Sequence, residues 1–130
     1  MRARATALLL ATGAVLAGAP PAAAALTASI EPRAHLERDG EVRVTVRVAC
    51  DAGDSVLEAH LGLSQDDGAV SGTAGIAGIV CDGRVRKHRV RVRPLDGAFH
   101  RGMAFASGYV LVLQPDGSTE SVSPTAVVRI

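Results

Sequence analysis

The sequence predicts an all-β domain, a single antiparallel β-sandwich of about seven short strands held by one disulfide. Three observations carry that expectation. The run Glu41–Cys50 alternates valine with arginine or threonine, so Val42, Val44, Val46 and Val48 share one face and Arg43, Thr45 and Arg47 the other. Five Asp-Gly dipeptides, at 39–40, 67–68, 82–83, 96–97 and 116–117, punctuate the chain, and Asp-Gly is a strong turn signal between strands. No stretch beyond the N-terminal segment has a helical period, and no repeat or low-complexity linker divides the 130 residues, a length that fits one domain.

The first 25 residues stand apart. Arg2 and Arg4 precede the short apolar run Ala7–Gly18. Pro20 and Pro21 then break it, and Ala22–Ala25 supply small residues for cleavage. This order of positive, apolar and small residues predicts a secretory signal peptide over 1–25, cut after Ala25, with Ala24 as the next choice. The apolar run is short for a membrane span. Leu16-Ala17-Gly18 is followed by Ala19 rather than cysteine, so no lipid anchor is expected. The expected product is residues 26–130, extracellular and without a membrane span. Cleavage removes Arg2 and Arg4 and leaves 12 basic against 13 acidic residues, a net charge of −1 with neutral histidines. A global attraction to nucleic acid or membrane is therefore not expected, and any such binding has to come from a local patch.

The expected strands follow in order. Leu26–Glu31 alternates and forms the first, with Pro32 confining it to an edge or an end. A polar connection over 33–40 leads to the strand Glu41–Cys50. After a turn at Asp51–Asp54, Ser55–Ser64 carries Val56, Leu57, Leu61 and Leu63 in a mixed period between two turns, and reads as a strand by position. Ala69–Val80 holds Gly72, Gly75 and Gly78, which weaken a strand and mark irregular backbone; it is expected to deliver Cys81 to the core. Beyond the turn at Cys81-Asp82-Gly83, Arg84–Arg93 has Val90 and Val92 on one phase and Val85 on the other, which predicts a bulge near Lys87-His88. Met103–Leu113 forms the next strand, its odd positions carrying Met103, Phe105, Tyr109, Leu111 and Leu113. Ser118–Ile130 is the last, with an edge or a bulge at Pro124.

With only Phe99, Phe105 and Tyr109 as aromatics and no tryptophan, the core has to be built from Val, Leu, Ile and Ala. Each Val, Leu or Ile contributes roughly 1.5–3 kcal/mol when fully buried. A crosslink helps such a core. Two cysteines in an exported chain most simply pair, and Cys50 and Cys81 close a loop expected to contribute roughly 3–4 kcal/mol. An intermolecular pair and two free thiols are the alternatives.

A signal-like segment, a strand ending in Cys50, and Cys81-Asp82-Gly83 followed by His88 and a valine-rich strand resemble small uncharacterised proteins secreted by actinobacteria. The resemblance implies an immunoglobulin-like sandwich and brings no established activity. Cys81 comes earlier in the strand order than the second cysteine of antibody-type domains, and the tryptophan that packs on their disulfide is missing. Enediyne-binding apoproteins and subtilisin-inhibitor-like proteins, two secreted classes of similar size, usually carry two disulfides, against one cysteine pair here.

Among chemical candidates, His35, His60, His88 and His100 lie in no nucleophile elbow or zinc motif, so no catalytic residue, metal site or cofactor is expected. Asp51/Asp54 and Asp66/Asp67 offer oxygen ligands for calcium, but these are also the residues turns require. The unusual feature is the basic run. Arg84, Arg86, Lys87, Arg89, Arg91 and Arg93 place six cations in ten residues, and Arg43 and Arg47 join them if the two strands are neighbours. The candidate binding surface is therefore Arg43, Arg47, Arg84, Arg86, Arg89, Arg91 and Arg93, facing an acidic extracellular protein or a polyanion. The competing reading is an exposed strand whose arginines pair with nearby carboxylates and discourage edge-to-edge aggregation. No aromatic interleaves the run, which argues against a specific nucleic-acid reader. The function expected is a secreted, non-enzymatic interaction module, with a small enzyme inhibitor or ligand carrier as the alternative and an enzyme third.

Overall fold

A computed structural model describes residues 26–130; the signal segment expected over 1–25 lies outside the described residues. The fold is all-β, with eight strands and no α-helix among the described residues: β1 (Thr27–Leu36), β2 (Val42–Ala49), β3 (Ser55–Gln65), β4 (Val70–Gly75), β5 (Arg86–Val92), β6 (Met103–Leu113), β7 (Thr119–Val122) and β8 (Thr125–Arg129). Among these residues no helix is long and apolar enough to cross a membrane.

The turn chemistry follows the sequence. The glycine of each Asp-Gly dipeptide has a positive φ, between 72° and 89°. At three of them the aspartate accepts a hydrogen bond from the backbone N–H two residues on: Glu41 to Asp39, Arg84 to Asp82 and Ser118 to Asp116. This is the aspartate turn that makes the dipeptide a chain reverser.

The ladder runs β4-β3-β6-β8-β1-β2-β5, with β7 also on β6. Two layers result, β1-β2-β5 and β4-β3-β6-β8, and β1 belongs to both. Its residues Thr27–Ile30 and Ala34–Leu36 pair antiparallel with β2, while Arg33 meets Arg129 of β8 in parallel. Three expectations are corrected here. The sheet is mixed rather than wholly antiparallel, and it has eight strands because Ser123-Pro124 divides the last one into β7 and β8. β1 also runs through Pro32 instead of ending there. Pro32 falls in the register shift between Ile30 and Ala34, where the ladder needs no N–H from it.

The two ends of the ladder approach each other, so the sheet is nearly barrel-like. Ser71 of β4 bridges Asp96, and the Leu95 N–H donates to the Ser71 carbonyl at 2.8 Å. Gly72 makes this closure feasible: a Cβ there would collide with the Arg93 carbonyl oxygen. The mixed period of β3 also has a physical cause, a bulge between Val56 and Glu58.

Val42, Val44, Val46, Val48, Val90 and Val92 line one inner wall, and Leu61, Leu63, Ala104, Ala106, Val110, Val112 and Val128 the other. Phe99 is the one aromatic in this core. Cys50 and Cys81 are disulfide-bonded, with Cα atoms 4.7 Å apart. Cys50 is fully buried, whereas Cys81 is half-buried in the irregular segment between β4 and β5; β4 itself ends at Gly75 and does not extend to the cysteine. The Gly83 N–H donates to the Cys50 carbonyl at 2.8 Å, tying the Asp-Gly turn to the end of β2.

Candidate functional site

β5 lies beside β2 in unbroken antiparallel register from Val42↔Val92 to Val48↔Arg86. The bulge expected near Lys87-His88 is absent, because Val85 precedes the strand and never has to fit its phase. The register decides which basic residues share a face. Arg43 stands opposite Arg91, Thr45 opposite Arg89 and Arg47 opposite Lys87, all on the side away from the valines. Five cations thus project from two adjacent strands, and two opposed pairs carry like charge, which destabilises a sheet unless something intervenes.

Carboxylates from β1 and its turn supply much of the compensation. Glu31 Oε1 lies 3.1 Å from Arg47 Nε and 3.2 Å from Lys87 Nζ. The hydrogen bond from Lys87, then that from Arg47, holds the Glu31 carboxyl below the usual glutamate range. Glu37 lies 3.4 Å from Arg43. Among the described residues, no carboxylate comes within ion-pair distance of Arg89 or Arg91. With Glu31 and Glu37 subtracted, the face carries a net charge of +3.

The other three candidates do not join this patch. Arg84 sits in the turn before β5, where its backbone N–H bonds to Asp82. Arg86 lies on the opposite phase of the strand and is paired with Asp82, whose carboxyl is lowered chiefly by that bond. Arg93 follows the end of β5 and reaches Glu41 at 2.9 Å. The site therefore contracts to Arg43, Arg47, Arg89 and Arg91, with Lys87 added; only Arg89 and Arg91 make no ion pair, and Arg91 shares a surface hollow with Glu37, Arg38 and Asp39.

The histidines separate into distinct environments. His88 shares the inward phase of Val90 and Val92 and stands opposite the buried Val46. Its Nε2 is buried with no hydrogen-bond partner among the described residues. Desolvation, and then the nearby Arg86 charge, lower its pKa. It is a core-facing residue, not the surface histidine its basic neighbours suggest. His60 faces outward, 3.2 Å from Glu58 and tilted against the Tyr109 ring at a centroid distance of 5.5 Å.

His100 meets Asp66, with Nε2 2.9 Å from Oδ2, and its Nδ1 lies 3.0 Å from the Arg101 carbonyl oxygen. Ser64 and Asp66 line one surface groove together. An aspartate, a histidine and a serine in one neighbourhood invite a hydrolytic reading, but both histidine nitrogens face acceptors. The partners of the two ring nitrogens are the Arg101 carbonyl and Asp66, and neither nitrogen is directed at Ser64, as a histidine serving a serine nucleophile would be. The Arg101 carbonyl and then Asp66 raise its pKa accordingly.

Buried Gln65 anchors this region. Its Oε1 accepts from the His100 N–H at 2.9 Å, and its Nε2 donates to the His100 carbonyl at 2.8 Å. Asp66 and Asp67, both at φ 53°, make the tight turn that follows. Among the described residues, no group of three or more His, Cys, Asp or Glu gathers as metal ligands would.

No family model and no curated protein matches this chain. The site thus has to be argued from its own geometry. Sequence reasoning missed two features, the Gln65 tether and the outward apolar surface of β6. The second was written in the strand itself, since Ala104, Ala106 and Gly108 alternate with Met103, Phe105 and Tyr109.

Proposed function

We propose that this chain is a secreted, non-enzymatic, immunoglobulin-like domain that docks a polyanionic or acidic extracellular partner on the outward face of β2 and β5. The observation that carries the proposal is that Arg89 and Arg91 make no ion pair among the described residues. They sit two residues apart on one side of a strand that ends the ladder. Neighbouring carboxylates take up the other cations, so charge neutralisation accounts for the strand as a whole but not for this pair.

The immunoglobulin-like part draws on connectivity. β1, β2 and β5 correspond to strands A, B and E of one layer, and β3, β6 and β7/β8 to C, F and G of the other, with β4 added beside C. Strand D has no counterpart, and the irregular segment carrying Cys81 takes its place. Secretion is supported by the disulfide together with the signal-like N-terminal sequence. The non-enzymatic part is supported by His100, whose ring nitrogens meet Asp66 and the Arg101 carbonyl rather than the nearby Ser64.

Retention on heparin at low ionic strength tests the contact, because exposed charges are screened over about 10 Å at 0.1 M salt. Arg89→Glu/Arg91→Glu is expected to elute at markedly lower salt than the wild type, with unchanged circular dichroism. Equal retention of the two proteins overturns the assignment.

A second reading, an enzyme inhibitor, draws on the irregular segment 76–85, which the Cys50–Cys81 bridge braces while Val80 and Val85 stand exposed.

A further inference from the structure

β6 is built inside out. Its inward residues are Ala104, Ala106, Gly108, Val110 and Val112, whereas its larger side chains point to solvent. Met103 is 58% exposed and Phe105 49%, and Phe105 pairs in register with Val127 of β8, itself 58% exposed. Farther along, Tyr109, Leu111 and Leu113 are half-buried, and Leu57 protrudes at the β3 bulge. A chain with three aromatics thus places two of them on one outer surface.

The same face is almost without charge at its centre. The row through Phe105 reads Ser71, Ser64, Phe105, Val127, and the row through Ser107 reads Thr73, Gly62, Ser107, Thr125. The next holds Gly75, His60 and Tyr109. Charge appears only around this centre, with Asp66 and Asp67 beside Met103 and Phe105 and Arg33 next to Arg129 at one end, and Glu58 at the other. Arg129 pairs with Met103, four residues before Ser107, and Glu58 pairs with Leu111, four residues after it. An uncharged centre with a charged rim is the composition of a protein–protein interface.

We infer that this face, formed by β3, β6 and β8, is a homodimer interface in which two copies pack face to face about a two-fold axis through Ser107. The occupant is a second copy because Arg129 and Glu58 are placed self-complementarily about Ser107. Arg129 and Glu58 lie on β6's two neighbours at equal and opposite offsets from Ser107, so an in-plane two-fold perpendicular to that diagonal sets Arg129 of each copy against Glu58 of the other. With strands about 4.8 Å apart and four residues spanning about 13 Å, the diagonal is inclined by about 20° to the strands. The two sheets then cross at about 40°, close to the ~30° of aligned sheet packing. Three strands by the length of Met103–Leu113 give a projected area of about 500 Å² per copy. Over two copies this is about 1,000 Å², the size at which a specific interface begins. The opposite face, at +3, would repel its own copy. In the dimer both cationic faces point outward. The dimer does not depend on the polyanion reading, since it is measured without any anion.

Sedimentation velocity of the full exported, disulfide-bonded protein across a concentration series tests this. A monomer–dimer equilibrium is expected. Phe105→Lys replaces an exposed side chain, so the fold should persist by circular dichroism while association weakens about tenfold or more. Val127→Lys is a second, independent variant with the same expectation. Glu58→Arg sets like charges together and weakens the dimer, and adding Arg129→Glu restores it. A monomer at every concentration overturns the proposal. So does a dimer indifferent to Phe105→Lys and Val127→Lys, a charge swap that fails to rescue, or a dimer lost instead on Arg89→Glu/Arg91→Glu.

Discussion

The outward faces of the two layers obey the same two-residue alternation and end in opposite chemistry. On β2 and β5, valine points inward and arginine outward, so hydrophobic bulk and burial coincide. On β6, alanine, glycine and valine point inward and Met103, Phe105 and Tyr109 outward, so the largest side chains of the strand are its more exposed ones. One face is shaped by charge, with carboxylates of β1 and its turn inserted among five cations. The other is shaped by the absence of charge. Alternation in a strand identifies two faces, and the identity of the inner one depends on what lies across the core. Opposite β6 stands a wall of closely packed valines, and small residues fit against it. Side-chain volume, rather than hydrophobicity, assigned the sides of β6.

The contrast can be broken most directly by deleting equivalent hydrophobic mass on each side. Val46 is fully buried beneath the cationic layer. Val46→Ala removes two methyl groups and leaves a cavity, and should destabilise the fold by about 2–3 kcal/mol in urea unfolding. Phe105→Ala removes more carbon but from a half-exposed site, and should change monomer stability by about 0.5 kcal/mol or less. The measurement is made at a concentration where the protein is monomeric. Comparable losses at the two positions would mean that Phe105 belongs to the core and that β6 has no free face.

Much of this was legible in the sequence. The valine phase of β2, the Cys50–Cys81 pair, the Asp-Gly turns and the bounds of β6 all follow from local chemistry: period two, two cysteines, and glycines free to take positive φ. The parts that were not legible depend on partners distant in sequence. Pro32 reads as a strand end until the change of partner in β1 is known. His88 looks like a member of a basic surface run, and only the register with Val46 turns it inward. The seven-residue candidate site shrank because Asp82 and Glu41 take up Arg86 and Arg93, and Glu41 is 52 positions from the arginine it meets. Gln65 carried no signal at all, since its value lies in two bonds to His100, 35 residues away.

The cationic face offers a smaller test. Glu31 is shared by Arg47 and Lys87, which stand directly opposite each other. Glu31→Gln leaves that like-charge pair unrelieved, and thermal unfolding at low salt should shift downward, with the difference shrinking as salt rises. The folded-state pKa of Glu31 is depressed, so its contribution is present above the unfolded value of 4.5 and is lost as pH falls through the folded value. The wild type should accordingly lose its advantage over Glu31→Gln only in acid below about pH 4.5. A salt-independent difference would mean that Glu31 acts through packing at the β1 register shift instead.

The weakest expected effect has the opposite pH sense and belongs to the rim of the apolar face. Asp66 lines the groove beside Met103, Phe105 and Val127, and His100 pairs with it from the segment before β6. The folded-state pKa of His100 is raised above 6.5. Its stabilising contribution is therefore complete below pH 6.5 and fades as pH rises through the folded value. Asp66→Asn removes the anionic partner while the Arg101 carbonyl and the Gln65 bonds remain, so the His100 titration should move downward but not as far as in a free histidine. Histidine proton chemical shifts followed against pH read this directly. Amide exchange of residues 100–103 should quicken on the alkaline side in the wild type and already at pH 6 in Asp66→Asn. If the titration of His100 is the same in both proteins, the ion pair is not what orders this rim, and the Gln65 bonds alone hold the segment that leads into β6.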